Sequence, residues 1–432
     1  MMIRISHFST IAWATIAASA IAPHAAAQTA ATANSCLACH AAQTDARLTA
    51  PAVLFTQSDV HRDSGFGCVD CHGGNSSAAD KAPAHDIGRG FKGKPAGRTV
   101  IGTCARCHGD AEFMHRFAPR QRVDQATEYA TSVHGKLLAT GDTHVATCAS
   151  CHGAHGIRRV SDAKSPVFPT NVAATCASCH ANAAHMNGYT LPNGSPLPTN
   201  QLADYQKSVH YRALTKGNDL SAPTCNDCHG NHGAAPPGAG TVVNVCGTCH
   251  AVFAQKFDTS AHKQIFDKGC VECHSNHAIV QPSDEMLSTT GRGVCAACHT
   301  AGDKSDKGSV AAESMRGDIA RLKSGLDQSR ALIARLKNAG IEVGDQELAL
   351  REAGTKLTLA RTEMHAFDPR LVSPIIVDGT RIVAGIDRAG QDGIAELRYR
   401  RRGLALSLGA ILLVVVALAL KVRQIDRRQN RE

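Results

Sequence analysis

Every cysteine in this chain belongs to one short pattern, Cys-x-x-Cys-His, and nine copies use all eighteen thiols. The copies are Cys36/Cys39 with His40, Cys68/Cys71 with His72, and Cys104/Cys107 with His108. Next come Cys148/Cys151 with His152, Cys176/Cys179 with His180, and Cys225/Cys228 with His229. The last three are Cys246/Cys249 with His250, Cys270/Cys273 with His274, and Cys295/Cys298 with His299. In a reducing cytosol that many thiols need a metal or a catalytic role; in an exported chain they need oxidation or covalent capture.

The spacing carries a chemistry. Two thiols three residues apart on a helical turn can add to the two vinyl groups on one edge of a haem. The next residue then lies under the iron, where imidazole is a good axial ligand. Zinc sites explain paired cysteines but not a histidine after each pair, and disulfides ignore the histidine as well. The pattern therefore predicts nine covalently attached c-type haems.

The motifs lie on a doubled repeat. Ser132-Val133-His134, Ser208-Val209-His210 and Ser260-Ala261-His262 each precede a motif, a histidine three residues beyond that motif, and a second motif. His134 leads to His152, His155 and His180; His210 to His229, His232 and His250; His262 to His274, His277 and His299. A looser copy runs from His61 through His72 to His108, with Asn75 in place of the extra histidine and His85 as its substitute. Four doubled copies and the lone first motif make nine.

A six-coordinate iron needs a second ligand, and the repeat offers His61, His85, His134, His155, His210, His232, His262 and His277. Eight for nine leaves one iron to find its ligand elsewhere or stay open. His115, His144, His185 and His365 are the reserves. His365 reads more readily as a surface or core residue than as a ligand, and Met114 and Met186 as packed side chains.

These features resemble the multihaem c-type cytochromes with doubled CXXCH motifs, the broad cytochrome c3-like group. SVHGKLLATGDTHVATCASCHGAHGI and CHANAAHMNGYTLP are similar to segments of membrane-associated members, and the likeness covers residues 35–300. It implies bis-histidine haems in close-packed, electron-conducting chains with little regular secondary structure. The chain departs from the multihaem nitrite reductases in having no CxxCK.

At 4% aromatic, with Gly, Ala, Asn, Ser and Thr plentiful, the haem region has little with which to bury a core. Covalent porphyrins would supply the apolar bulk, and the apoprotein should be largely unfolded. The formal charge of +9 overstates the basicity, since haem propionates would pair with part of the Lys and Arg excess. Nucleic-acid binding has no place in this reading.

The ends of the chain suggest a compartment. Arg4, an apolar stretch from Phe8 to Ala22 and Ala25-Ala26-Ala27 read as a signal peptide over residues 1–27. Residues 403–420 form an apolar run whose helix would rise about 27 Å, enough for the hydrocarbon core. Arg398, Arg400, Arg401 and Arg402 precede it, and Lys421, Arg423, Arg427, Arg428 and Arg431 follow. An exported body and a basic tail, residues 421–432, satisfy the positive-inside rule. The expectation is a single-pass protein of the bacterial cytoplasmic (inner) membrane with its haem domain, residues 28–308, in the periplasm.

Between haems and anchor, residues 309–400 read as a helical stalk. Met315, Ile319, Leu322, Leu326, Ser329, Ile333 and Leu336 repeat at helical spacing, and Gly340 ends that helix. Asp345 can cap a second helix carrying Leu350, Ala353, Leu357, Ala360 and Met364. Pro369 and Pro374 should interrupt before a third stretch leads into the anchor. A homo-oligomer through the stalk, a docking face, a cover for the last haem and a plain spacer all fit.

The expected fold is mainly α with much irregular structure. The expected function is electron relay between a membrane, quinol-linked donor and a periplasmic or outer-membrane acceptor. Redox partner proteins are implied; no histidine lies in the span to hold b-haems, so a quinol-oxidising membrane subunit is a candidate partner. The alternatives are a reductase of a small nitrogen or sulfur oxyanion with one open haem, and a haem subunit of a larger respiratory complex.

Overall fold

The computed structural model describes residues 34–238 and 241–430; the signal-peptide reading over residues 1–27 lies outside them. Among the described residues the chain is helical and irregular, with an isolated β-bridge between Thr190 and Pro196 and no strand. It divides into two units: Met1–Ala96 with Ala154–Ile157, and Gly97–Gly153 with Arg158–Glu432.

In the haem-motif region the helices are short and built for placement rather than length. Each Ser-x-His segment begins a turn. Ser132 Oγ accepts the backbone N–H of Gly135 at 2.8 Å, and Ser208 Oγ that of Tyr211 at 3.0 Å. Both serines are buried. In the looser copy Asp59 takes this place, accepting the N–H of His61 at 3.0 Å. A capping side chain satisfies a helix N–H that would otherwise be orphaned, so the cap fixes the histidine two residues on.

The first motif of each doubled copy is a single turn: Cys68–His72, Cys148–His152, Cys225–His229 and Val271–His274. In the first three, the residue before the second cysteine folds back on the start of the turn. Asp70, Ser150 and Asp227 accept the N–H groups of Gly67, Thr147 and Thr224 at 2.7, 3.0 and 2.8 Å. The turn ends where the chain takes positive φ, at Gly73, Gly153 and Gly230, and in the fourth copy at Ser275. The second motif closes a longer helix in Arg98–His108 and Pro169–His180.

The contiguous apolar clusters among the described residues lie in the stalk. Helix α1, Lys307–Asn338, buries Met315, Ile319, Leu322, Leu326, Ser329, Ile333 and Leu336, the stripe its periodicity predicts. Gly340, at φ 79°, turns the chain out of it. Helix α2, Gly344–Glu363, buries Ala353, Leu357 and Ala360. It starts after Val343, so Asp345 lies in the first turn, where its charge favours the helix dipole, rather than at the cap.

Helix α3 runs from Pro369 to Gln429, 61 residues without a break. The expected interruption falls before Pro369, which occupies the first turn, where a missing N–H costs nothing, and not at Pro374. Pro374 lies inside the helix. The three helices share one core, with Leu287 from the motif region packed into it. A Cβ on Gly379 would stand 2.7 Å from Leu322 Cδ2, so glycine there lets α3 approach α1. Beyond the bundle, Leu406, Leu413 and their neighbours are exposed, and α3 is long and apolar enough to cross a membrane.

Candidate haem-binding site

None of the eighteen cysteines is in a disulfide. Covalent attachment leads one to expect every thiol buried against a porphyrin edge, and the polypeptide by itself does not bury them. Cys39, Cys71, Cys228, Cys249 and Cys298 are exposed, and the other thirteen, Cys107 among them, are half-buried. The exposed thiols are all second cysteines of their motifs. Cys39 lies in the turn Ser35–Ala41 and Cys71 in the turn Cys68–His72. Cys107 lies one residue before the end of the helix Arg98–His108, and Cys298 directly follows the short turn Cys295–Ala297. The physical reason is composition. With 4% aromatic residues the chain has few large side chains to lay over these sulfurs. Cys39, Cys71, Cys107 and Cys298 are thus placed by their turns next to their motif histidines.

The structure sorts the histidines into facing pairs. Imidazoles bound on opposite sides of one metal ion, each nitrogen about 2 Å away, have ring centres about 6 Å apart. His40 faces His85 at 6.2 Å, His72 faces His155 at 5.9 Å, and His152 faces His232 at 6.2 Å. His134 faces His180 at 6.0 Å, His210 faces His250 at 6.3 Å, and His229 faces His277 at 6.0 Å. His262 faces His299 and His274 faces His365, both at 6.2 Å. Each pair joins a motif histidine to one outside the motifs, at the spacing a bridging metal ion requires.

Two rules govern the pairing. The cap histidines His134, His210 and His262 face the second motif of their own copy. The histidine after a first motif faces the first motif of the preceding copy: His155 with His72, His232 with His152, His277 with His229. Sequence grouping places these with their own copies instead. His85 follows the second rule from the position that Asn75 leaves empty, and it reaches the lone first motif at His40. A backbone hydrogen bond accompanies the first three of these steps. The N–H groups of Val60, Val133 and Val209 donate to the carbonyls of Ile157, Ala234 and Ile279 at 2.8, 3.0 and 2.8 Å. Each acceptor lies two residues past the lent histidine.

The rules also leave a geometric signature. Three lent pairs are near parallel, at 2°, 13° and 15°. The same-copy pairs are twisted, at 58°, 35° and 88°, and His40 with His85 lies at 52°.

The ring nitrogens are arranged for coordination. Nδ1 of His72 donates to Gly93 O at 2.8 Å, that of His85 to Lys81 O at 2.7 Å, and that of His229 to Ala235 O at 3.2 Å. Carboxylates hold Nδ1 of His61 (Asp59, 2.9 Å) and of His299 (Asp306, 2.9 Å). Such bonds fix the tautomer that leaves Nε2 to a metal and raise the ligand's basicity. Burial holds His134, His152, His155, His180, His210, His262, His274 and His277 below the ordinary imidazole range. They are therefore neutral near pH 7, the form that binds a metal.

Motifs also adjoin one another. Cys104 lies beside Cys148, Cys176 beside Cys225 and Cys246 beside Cys270. Cys151 lies near Cys179, Cys228 near Cys249 and Cys273 near Cys295 and Cys298. In the first unit Cys36 adjoins Cys68. Thioethers at these positions would bring successive porphyrin edges together.

The reserve residues separate. Met114 and Met186 are buried in packing. His115 ends the short helix Ala111–His115. His144 faces His185 at 6.4 Å, outside any CxxCH turn. His365, which the sequence suggests is a surface or core residue, faces His274.

The doubled CXXCH motif family matches residues 262–304, and the cytochrome c554 and c-prime family matches residues 5–73. No curated protein and no solved structure matches the chain. Both family matches fall on CxxCH segments that the structure folds as turns beneath paired imidazoles, and the chain is a multihaem c-type cytochrome with doubled CXXCH motifs and a C-terminal helix fit to anchor it in a membrane.

Proposed function

We propose that this chain carries nine haems with two histidine ligands each and relays electrons from a quinol-linked donor at the inner membrane to a periplasmic or outer-membrane acceptor. The observation that carries the reading is the spacing of the facing imidazoles, 5.9–6.3 Å in eight pairs. Haem iron supplies one-electron chemistry when bound. The chain's own part is to close both faces of the iron, exclude water and hold neighbouring motifs edge to edge. Attachment through both cysteines of every motif, the exposed Cys39, Cys71 and Cys298 and the half-buried Cys107 included, belongs to this proposal.

The lone first motif supports relay over catalysis. Its lack of a repeat partner makes it the best place for an open iron, yet His85 stands opposite His40 at 6.2 Å. A ligand on each face leaves no coordination site for a nitrogen or sulfur oxyanion. The signal peptide, the periplasmic placement of the haem domain and the inner-membrane anchor belong to the same proposal, because a basic tail after the apolar run fits the cytoplasmic side.

The test is the purified, detergent-solubilised full chain. Intact mass should exceed that of the processed polypeptide by nine haem masses, and electron paramagnetic resonance should show low-spin iron throughout. Thiol alkylation of the unfolded holoprotein should label no cysteine. A quinol-coupled donor should reduce every haem. A mass accounting for seven haems or fewer, or several high-spin irons in the wild type, would overturn the reading.

A further inference from the structure

The lending rule leaves one motif without a donor. His274 begins the last doubled copy, and no further copy follows it. We propose that the stalk stands in for that copy: His365 is the distal ligand of the haem held by Cys270, Cys273 and His274. This rests on the bis-histidine reading above and adds a ligand to it.

Four observations converge on His365. Its ring centre lies 6.2 Å from that of His274, with the planes 17° apart, the near-parallel geometry of the lent pairs. Its Nδ1 is turned back to the carbonyls of Arg361 and Thr362, at 3.1 and 3.2 Å, so Nε2 is the nitrogen left for iron. The local sequence repeats the lending element. His155-Gly156-Ile157, His232-Gly233-Ala234 and His277-Ala278-Ile279 read as histidine, small residue, apolar residue, and so does His365-Ala366-Phe367. Finally, the third residue docks on the cap segment of the copy it serves. Where Ile157, Ala234 and Ile279 do so by a backbone hydrogen bond, Phe367 lays its ring against His262 at 4.2 Å between centres.

The small middle residue has a reason. A Cβ at Gly156 would press to 3.1 Å from Ser58 Oγ, and Ala366 is buried. The corner is also pinned from outside. Arg361 forms a two-pronged ion pair with Asp284 at 2.9 and 2.6 Å, and Lys256 reaches Glu363 at 2.8 Å. Phe253 meets the His365 ring at 4.9 Å. Four residues beyond His365, Pro369 starts the helix that continues into the apolar span. The stalk is thus the last element of the haem array, and the membrane helix grows directly from an axial ligand.

The experiment compares full-length wild type with His365→Ala and His365→Met, haem-loaded and in detergent. In His365→Ala, one haem in nine should become high spin and, once reduced, bind one carbon monoxide per chain. The loss should fall on the class of low-spin signal from parallel imidazoles, not on the twisted class. His365→Met keeps a ligand and most of the volume; it should restore low spin and raise one midpoint potential, as thioether ligation does. An all-low-spin His365→Ala protein that takes up no carbon monoxide would overturn the assignment while leaving the bis-histidine reading intact. If His365→Ala fails to assemble, an unaltered set of potentials in His365→Met would overturn it instead. High-spin iron at several sites in the wild type would bring down the underlying reading.

Discussion

Asp306 accepts Nδ1–H of His299 at 2.9 Å and, with the same carboxylate, the backbone N–H groups of Thr300 and Ser309 at 2.9 and 3.1 Å. One side chain therefore orients the last motif histidine and caps stalk helix α1. The N–H groups of Ser309 and Thr300, then His299, hold its carboxyl down at about 2. Because that value is depressed, its contribution to stability is complete above the ordinary carboxylate range and is lost progressively as pH falls from that range through about 2.

Asp306→Asn should separate the two roles. Asparagine caps a helix about as well as aspartate, so the melting temperature should change little. A neutral amide accepts less strongly from Nδ1, which makes His299 a poorer donor. One haem should shift to higher potential in a redox titration. An unchanged set of midpoints would mean that this hydrogen bond does not reach a haem ligand.

Gly308 lies directly beneath the same ring: a Cβ there would overlap the His299 imidazole. Gly308→Ala should push the ring off its site and leave one haem high spin. Helix propensity alone predicts the opposite sign for stability, since alanine is favoured over glycine by about 1 kcal/mol within a helix. A low-spin, more stable variant would show that the ring has room to move.

Ser275 takes φ 66° at the position that Gly73, Gly153 and Gly230 hold in the other copies. A side chain in that region costs about 1–3 kcal/mol. Ser275→Gly should stabilise the holoprotein by about 1 kcal/mol, with unchanged spectra, in denaturant unfolding. Destabilisation would mean that the serine side chain contributes more than its backbone costs.

The single-turn motifs and the α1 stripe could be read from the sequence because both are local. Cysteine spacing is fixed within five residues, and the Met315 to Leu336 pattern within one helix. The pairing of histidines could not. His155 stands 83 positions from His72 and His365 91 from His274, and nothing in a single copy says that its extra histidine serves the preceding one. Nor does the motif say how far its thiols are covered: Cys39, Cys71 and Cys298 are exposed and Cys107 half-buried, because cover depends on chain remote from the turn. The signal for His365 was nonetheless present in the histidine, small, apolar triplet. It was masked because the triplet falls at a helix corner rather than after a CxxCH. Pro374 misled for a similar reason: proline reads as a breaker, but tertiary packing of α3 on α1 and α2 carries the helix past it.

The anchor should be separable from the stalk. Gly393 and Ile394 of α3 still adjoin the bundle, whereas Arg398 and the span beyond are exposed. Truncation before Arg398 should therefore release a soluble protein with the full haem complement and unaltered spin states. If it stays in membranes after a salt wash, a second anchor or a tightly bound partner is required.

Closed irons set the last expectation, the absence of catalysis. On the proposed bis-histidine ligation each iron would bind a substrate only by giving up a ligand, and the imidazoles that would serve are held in place. His85 is tied to Lys81 O at 2.7 Å, His299 to Asp306 at 2.9 Å, and His72 to Gly93 O at 2.8 Å. On the proposed bis-histidine ligation, releasing any of them would cost both the bond to iron and the hydrogen bond that aims the ring. The reduced protein should consequently bind little carbon monoxide and turn over nitrite, hydroxylamine or tetrathionate negligibly, while accepting electrons quickly from dithionite. Turnover at about 10 per second or more, in the range of ordinary enzymes, and abolished when carbon monoxide occupies a single haem, would show that one imidazole is a displaceable gate. The pair to examine first would then be His40 and His85, whose planes lie 52° apart and whose distal member comes from the irregular copy of the repeat.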